Sequence, residues 1–267
     1  ITFAIWLDTW EIDINSMYQD DWFVKIDEFT IKNVSDKCLW YNTFQNALNW
    51  SCNVWMIRIV QRIWRVLFHQ YLEDFWIWFN TWIELSWESR LDPWEKWSTA
   101  WLLTRSYWLW MSVTQLQVAN AYNVLANWWI YLRPRIIDKI VYPDWREEIF
   151  KTEPVRRVLK ESTAMLMRAE QWAIDWYRFW LKSWTAQIVY KGKYETWQAS
   201  TIWSFAWFWP IEDPKFTMVV TLERPRTSVY GWSTAAKVFQ EMWEYLVDYM
   251  WIPKRDYQFN NFYRNNQ

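Results

Sequence analysis

The sequence predicts a mixed α/β (α+β) fold in which helices fill the middle of the chain and strands follow them. Apolar residues recur at helical spacing over residues 42–75 and 114–126, and a stripe with the same period runs over residues 233–250. Three further apolar runs are typical of strands, because they are short and bounded by turn residues: 182–190, 200–209 and 216–222. The strands therefore cluster ahead of the last helix.

The composition fits one large domain and excludes several classes of function. A chain of 267 residues with 52% hydrophobic residues can bury a sizeable core. With 29 basic and 30 acidic residues, the net charge of −1 removes the usual argument for a nucleic-acid partner or a strongly anionic membrane surface. Cys38 and Cys52 are too few for a disulfide framework, and the single His69 leaves no His/Cys set for zinc, so we expect no metal.

The first 75 residues divide into two parts. Short alternating runs such as 3–5 and 29–31 predict irregular, β-rich structure over residues 1–35 and no core helix. Helical spacing then covers 42–75, and Ser51-Cys52-Asn53 interrupts it. The Ser51 hydroxyl could relay a proton, and the Asn53 amide could both donate and accept hydrogen bonds. A plain helix cap is the alternative, because Ser and Asn favour helix starts.

The remaining elements follow from local signals. Thr114 is a predicted N-cap for a helix that ends at Asn127. Pro and Asp around residues 133–146 predict a strand pair joined by a turn, and apolar spacing predicts a helix over Val155–Ala169. Residues 210–214, rich in Pro and Asp, form a predicted hairpin loop between the last two strands.

Tryptophan usage is the anomaly of this sequence. Ordinary usage predicts about 19 glycines, yet the chain has 2 Gly and 30 Trp. Many Trp occupy turn positions that favour glycine: Trp10, Trp22, Trp128, Trp129 and Trp145. Our hypothesis is that glycine codons appear as tryptophan, for example because UGA means glycine in the source lineage and tryptophan in the table used for translation. The alternative is an aromatic-rich sugar or single-strand binder, but such proteins place a few aromatic residues on one face.

Two motifs carry a resemblance to a known family. Residues 182–187 read Lys-Ser-Trp-Thr-Ala-Gln, and with glycine at Trp184 they resemble the third active-site motif, Lys-Thr/Ser-Gly-Thr, of penicillin-binding proteins and serine β-lactamases. In the setting Asn-Ala-Leu-Asn-Trp-Ser-Cys-Asn-Val, Ser51-Cys52-Asn53 looks like the second motif, Ser-x-Asn. The stretches 76–88 and 106–117, with glycine restored, are similar to class B penicillin-binding proteins and favour them over β-lactamases.

The resemblance implies a transpeptidase fold of the penicillin-binding protein and serine β-lactamase type: an antiparallel sheet flanked by helices, plus an all-helical lobe. Residues 1–267 would be a single, partial domain, incomplete at the N-terminus. Within it we expect the helical lobe at about 40–170, the C-terminal sheet and helix at about 177–252 and a tail at 253–267. The connection from Arg168 to Lys182 is shorter than is usual in the family.

The resemblance also implies an activity and a set of roles. Such enzymes acylate a serine on the penultimate D-Ala of a peptidoglycan stem peptide and then pass the acyl group to a neighbouring stem, with no cofactor. Ser51, Asn53 and Lys182 would be catalytic, with Ser51 and Lys182 moving protons and holding the substrate carboxylate. Ser183, Thr185 and the glycine position Trp184 would bind substrate, and the Thr185 N–H would supply half of the oxyanion hole. The acylated Ser-x-x-Lys serine is absent from the chain and expected just before Ile1, so this fragment itself should be inactive.

The implied partners are the D-Ala-D-Ala stem peptide, β-lactam antibiotics and other cell wall synthesis proteins. The implied location is the extracytoplasmic side of a bacterial cell membrane, with an anchor in the full-length parent. Two alternatives remain open at this point: a serine β-lactamase, and a penicillin-sensing or binding domain of the same fold.

Overall fold

The computed structural model describes residues 1–10, 15, 17–63, 65–85, 88, 98–107, 113–169, 172–174, 177–190, 193–195, 200–226 and 235–252. The tail predicted at 253–267 lies outside these residues. Within them, helices and antiparallel strands are interleaved, so the predicted α/β class is confirmed. None of the helices in these ranges is both long enough and apolar enough to cross a membrane.

The helices and strands of the described residues have the following bounds. The helices are α1 Thr2–Trp10, α2 Phe44–Asn49, α3 Asn53–Arg62, α4 Arg65–Asp74, α5 Thr99–Arg105, α6 Gln115–Ala126, α7 Glu161–Ala169 and α8 Ala235–Tyr249. The strands are β1 Met17–Asp20, β2 Phe23–Ile26, β3 Phe29–Lys32, β4 Trp40–Thr43, β5 Ile130–Leu132, β6 Lys139–Val141, β7 Glu147–Ile149, β8 Pro154–Arg157, β9 Trp172–Ile174, β10 Tyr177–Gln187, β11 Val189–Tyr190, β12 Lys193–Tyr194, β13 Thr201–Trp209 and β14 Phe216–Glu223.

The C-terminal half of the chain contains a four-stranded antiparallel sheet with the strand order β14-β13-β10-β9. Alternation along β13 sends Phe205, Trp207 and Trp209 towards α8, where they form one apolar cluster with Phe239. The even-numbered Ala206 and Phe208 face the larger core, to which α6 contributes. The sheet is therefore covered on both faces, by α6 and by α8.

The prediction of irregular structure over residues 1–35 is wrong for the first ten residues. Residues 2–10 form α1, in which Phe3, Ile5 and Leu7 are buried, and this helix packs against α3 and α7. A helix that is apolar on most of its surface belongs inside a core. The buried Asp8 fixes it there, because its carboxylate accepts hydrogen bonds from the Tyr71 hydroxyl at 2.5 Å and the Lys160 N–H at 2.7 Å. The β-rich structure expected over residues 1–35 is present after this helix, as β1, β2 and β3.

The middle of the chain largely follows its local signals. Thr114 caps α6 in a reciprocal capping box with Gln117, as predicted. The predicted strand pair is the hairpin β6–β7. The predicted helix over Val155–Ala169 starts later, at Glu161, because Pro154–Arg157 pairs with β5 as β8. The lobe expected to be all-helical thus also contains five short strands among its described residues, β4 to β8, and its boundaries stay a prediction.

Eight tryptophans hold the backbone in the left-handed region. Eleven of the described non-glycine residues have positive φ, and eight of these are Trp with φ between 53° and 72°: Trp22, Trp40, Trp76, Trp82, Trp128, Trp129, Trp145 and Trp251. Glycine adopts this conformation freely, whereas other L-residues resist it. Four of the five turn positions singled out above are in this set; Trp10 is instead the last residue of α1. The backbone therefore supports the glycine hypothesis, which the coding sequence has yet to test.

Candidate active site

One cavity brings together all the site residues that the motifs predicted. It has a volume of about 840 Å³, within the range of ligand pockets. The start of α1, strand β3, helices α5 and α6 and strand β10 contribute to its walls. The predicted residues on its lining are Ser51, Asn53, Lys182, Ser183, Trp184 and Thr185. Residues that are 131 positions apart in sequence thus share one concave site.

Lys182 and Ser51 meet directly in this cavity. The Lys182 Nζ donates a hydrogen bond to the Ser51 Oγ. Lys182 is fixed by the pairing of β10 with β13, where it lies opposite Ala206. Ser51 lies between α2 and α3 and has a φ of 54°, an unusual value for a residue with a side chain. This contact joins the helical part of the chain to the sheet.

The cavity has a positive character. Burial lowers the pKa of Lys182 to about 8, so its ammonium and amine forms are both accessible near neutral pH. Lys32 and Lys182 are the charged residues on the described lining, and no carboxylate accompanies them. The cavity therefore favours an anionic group such as a substrate carboxylate, because no acidic residue on the described lining neutralises the charge of the two lysines.

The helix-cap alternative for Ser51 and Asn53 is not what the structure shows. The N-cap of α3 is Cys52, which makes no side-chain cap hydrogen bond; Ser51 precedes it and Asn53 is the first helical residue. The Asn53 Nδ2 donates to the Lys32 carbonyl oxygen at 3.3 Å. Ser51 and Asn53 therefore have their side chains on the cavity wall and not on the end of the helix.

A disulfide joins Cys38 to Cys52, the residue between Ser51 and Asn53. Both residues are fully buried, and their Cα atoms are 5.7 Å apart. Sequence reasoning missed this bond, because two cysteines do not make a framework. The available signal was local: Cys52 is the middle residue of the Ser-x-Asn triplet, so a cross-link there ties the triplet to the loop that contains Cys38.

Trp184 occupies part of the cavity. Its ring centroid lies 6.4 Å from that of Tyr122 on α6, and both residues line the cavity. The indole packs against α6 and fills space on that wall of the cavity. A glycine at this position would leave that space open beside Lys182 and Thr185.

None of the described strands pairs with the outer edge of β10 next to the site. Among the described strands, β9 is the one that pairs with this edge, and it does so at Tyr177–Phe179. Lys182–Gln187 pairs with β13 on the inner side. An exposed edge of this kind can accept an extended peptide as an additional strand. The candidate site therefore combines a cationic cavity with a strand edge of the kind to which extended peptides can be added.

Comparisons with known proteins agree with this geometry. The family model "Penicillin binding protein transpeptidase domain" matches residues 8–244. Stage V sporulation protein D of Bacillus subtilis (strain 168) is 25% identical over 212 residues, which are 73% of this chain and 32% of that protein. Peptidoglycan D,D-transpeptidase FtsI of Escherichia coli (strain K12) is 31% identical over 157 residues, 54% of this chain and 25% of that protein. Penicillin-binding protein 3 from Mycobacterium tuberculosis, complexed with ampicillin, has a TM-score of 0.84 at 19% identity, with 96% of this chain and 62% of that chain covered.

The helix-covered antiparallel sheet, with the cavity lysine on β10, is a transpeptidase-type α/β fold. The chain belongs to the penicillin-binding protein transpeptidase domain family. It spans 32% and 25% of the length of the two curated relatives above, so it represents about a third or less of such proteins.

Proposed function

We propose that this chain is the transpeptidase domain of a penicillin-binding D,D-transpeptidase, which cross-links peptidoglycan stem peptides by serine acyl transfer. The observation that carries the proposal is the contact between Lys182 and Ser51 inside a cationic cavity, beside a strand edge with which none of the described strands pairs. A D-Ala-D-Ala stem peptide offers what this site selects, namely an extended backbone that ends in a carboxylate. The family and the names of its relatives agree with this activity.

The proposed reaction has two acyl-transfer steps. A serine oxygen attacks the carbonyl carbon of the penultimate D-Ala and loses its proton to a neighbouring base. The C–N bond to the terminal D-Ala then breaks, the leaving nitrogen takes up a proton, and a serine ester remains. An amine of a second stem peptide attacks this ester, the C–O bond breaks and the serine recovers its proton. We place the attacking serine in a Ser-x-x-Lys motif just upstream of Ile1, because Ile1 itself lines the cavity.

Ser51, Asn53 and Lys182 would act on these protons and on the substrate. Lys182 donates to the Ser51 Oγ, so the Ser51 hydroxyl hydrogen is directed elsewhere and can be passed to the leaving nitrogen. The Asn53 amide would bind the peptide group of the substrate. With a pKa of about 8, Lys182 can hold a carboxylate as an ammonium ion and still exchange a proton.

Ser183, Thr185 and position 184 would receive the substrate backbone. All three line the cavity on the part of β10 that lacks an outer neighbour among the described strands. The Thr185 N–H would stabilise the oxyanion of each tetrahedral intermediate. The relative crystallised with ampicillin supports the proposal that β-lactams enter the same site, since their carboxylate and acyl group mimic D-Ala-D-Ala.

Covalent labelling of the complete gene product by a fluorescent penicillin tests the proposal. We expect one labelled serine upstream of Ile1, no labelling of residues 1–267 alone, and loss of labelling in Lys182→Met. Lys139→Met is the matched control, because Lys139 lies on the exposed β6–β7 hairpin and pairs with Glu147 at 2.8 Å. An unlabelled gene product contradicts the proposal.

Two further measurements separate the proposed transpeptidase from its alternatives. Rapid turnover of the antibiotic would indicate a serine β-lactamase. Stable labelling without release of D-Ala from a stem peptide would indicate a penicillin-sensing or binding domain. We expect stable labelling together with D-Ala release.

A further inference from the structure

Asn33 supplies a helix cap that the sequence around α3 does not provide. The first N–H groups of a helix need acceptors from outside the helix. The N-cap residue Cys52 cannot provide one, because its sulfur is bonded to Cys38. Instead, the Val54 N–H donates to the Asn33 Oδ1 at 3.0 Å, in a buried contact across 21 residues. A side chain from the end of β3 therefore caps the helix that starts at Asn53.

The Asn33 side chain is held in one orientation. It is 5% exposed, and its Nδ2 donates to the Asp20 Oδ1 at 2.9 Å. The same Asp20 oxygen accepts the Trp22 N–H at 2.7 Å, and the Asn33 backbone N–H donates to the Trp22 carbonyl oxygen at 3.1 Å. Because the amide nitrogen must face the carboxylate, the amide oxygen must face α3. Asp20 thus fixes the group that caps the helix.

This cap holds Val54, which is three residues after Ser51 in the chain. Ser51 has a left-handed backbone, which a residue with a side chain keeps when its surroundings hold it there. Its C-terminal neighbours are anchored at Cys52 by the disulfide and at Val54 by Asn33. The backbone carbonyl oxygen of Lys32, next to Asn33, accepts a hydrogen bond from the Asn53 Nδ2. Lys32 and Asn33 therefore contact both the side chain and the backbone at the start of α3.

We propose that Asn33 is a positioning residue that holds Ser51 against Lys182 and keeps Asn53 on the cavity wall. Asn33 is not among the residues that line the cavity, so it acts through α3 and not on the substrate. The inference rests on the proposed function, since its consequence is a faster acylation step. It gives Asp20 a supporting part as the group that orients Asn33.

The test compares acylation of the complete gene product by a fluorescent penicillin in three variants. Asn33→Leu removes the acceptor and should slow acylation about ten-fold, the effect expected for one lost buried hydrogen bond. Asn33→Asp keeps an acceptor for the Val54 N–H and should recover most of the rate. Burial raises the pKa of Asp20, so the two carboxylates of that variant can share one proton.

Asn127→Leu is the matched control. The Asn127 Oδ1 accepts the Ile130 N–H at 3.2 Å at the end of α6, so this variant loses the same kind of bond away from Ser51. We expect it to lower the melting temperature about as much as Asn33→Leu while acylating within about two-fold of wild type. Equal rates for Asn33→Leu and Asn127→Leu, or no recovery in Asn33→Asp, overturn the positioning role.

Hydrogen exchange at the Val54 amide keeps the inference testable if Asn33→Leu does not fold. We expect slow exchange in the wild type and in Asn33→Asp, although Val54 is in the first turn of α3. Fast exchange in the wild type overturns the inference. A wild-type gene product that is not acylated contradicts the proposed function instead, so the two failures are distinguishable.

Discussion

Replacing four exposed tryptophans by glycine should make this protein more stable. Trp40, Trp82, Trp145 and Trp251 have φ values of 66°, 62°, 64° and 53°. Their side chains are 69%, 60%, 86% and 91% exposed, so removing the indoles sacrifices little packing. Trp145, for example, lies in the turn between β6 and β7, where its N–H donates to the Tyr142 carbonyl oxygen at 2.9 Å. Glycine is the residue that such a left-handed turn position favours.

The gain in the free energy of unfolding can be calculated from the backbone conformation alone. A left-handed conformation costs a non-glycine residue about 1–2 kcal/mol. The larger conformational entropy of glycine in the unfolded chain reduces the stability gained by the exchange by about 0.5–1 kcal/mol. Each exchange should therefore stabilise the fold by about 0.5–1 kcal/mol. Because the four sites are separate, the variant should gain about 2–4 kcal/mol. For a chain of this size, that raises the melting temperature by about 4–16 °C.

Urea and thermal unfolding of the parent and the four-site variant measure this gain. The control is Trp101→Gly, since Trp101 is 50% exposed but lies within α5. Glycine inside a helix is unfavourable, so this variant should lose about 0.5 kcal/mol. A four-site variant no more stable than its parent, or a Trp101→Gly variant that is stabilised to the same extent per site, would refute the reasoning.

The coding DNA tests the origin of these residues separately from their energetics. TGA codons at Trp145, Trp184, Trp207 and Trp209 would support glycine, and TGG codons there would reject it. Trp207 is informative because it is fully buried and its Nε1–H has no hydrogen-bond acceptor among the described residues. An unpaired buried donor costs about 1–3 kcal/mol, which glycine would avoid.

Three further predictions concern the site. The lowered pKa of Lys182 means that the unfolded chain binds more protons between pH about 8 and the ordinary value of 10.5. Stability should therefore rise with pH across this window, and Lys182→Met should remove that part of the rise in urea titrations at pH 8 and 10. Trp184→Gly in the complete gene product should speed penicillin acylation about ten-fold or more, because space opens in the cavity; an unchanged rate would contradict this. Replacing Cys38 and Cys52 by Ser should lower the free energy of unfolding by about 3 kcal/mol, given their separation of 14 residues, and an unchanged urea midpoint would show that the cross-link adds nothing.

The candidate site residues could be selected from the sequence because each motif that contains them is local in the chain. Ser51 and Asn53 are two positions apart, and Lys182 begins an apolar run that is typical of a strand, although β10 itself begins at Tyr177. The prediction that these residues meet needed the family resemblance, since no local rule brings residues 131 positions apart into contact. The structure places them in one cavity, and their catalytic roles stay proposals.

What the sequence could not reveal depends on long-range partners. The Asn33–Val54 cap and the Cys38–Cys52 bond each join separate segments. The cap has no sequence pattern of its own, and the place of Cys52 within the Ser-x-Asn triplet was the one local signal for the bond. The helix α1 was missed because its apolar residues cover most of its surface, so the run lacks a clear helical period. Tryptophan at glycine positions added to the difficulty, since it places an apolar residue where a turn signal belongs.

The outer edge of β10 at Lys182–Gln187, with which none of the described strands pairs, also favours association between molecules. A strand with unpaired backbone groups is a template for any extended chain, including the same strand of a second molecule. Natural sheets usually cover or charge such an edge, whereas here the proposed substrate needs access to it, and Lys182 is the charged residue within Lys182–Gln187. We therefore expect concentrated preparations to associate through this edge, and an antibiotic or peptide seated along it to keep the protein monomeric. The same backbone groups would bind the substrate and mediate self-association. A ligand bound along the edge would prevent the association.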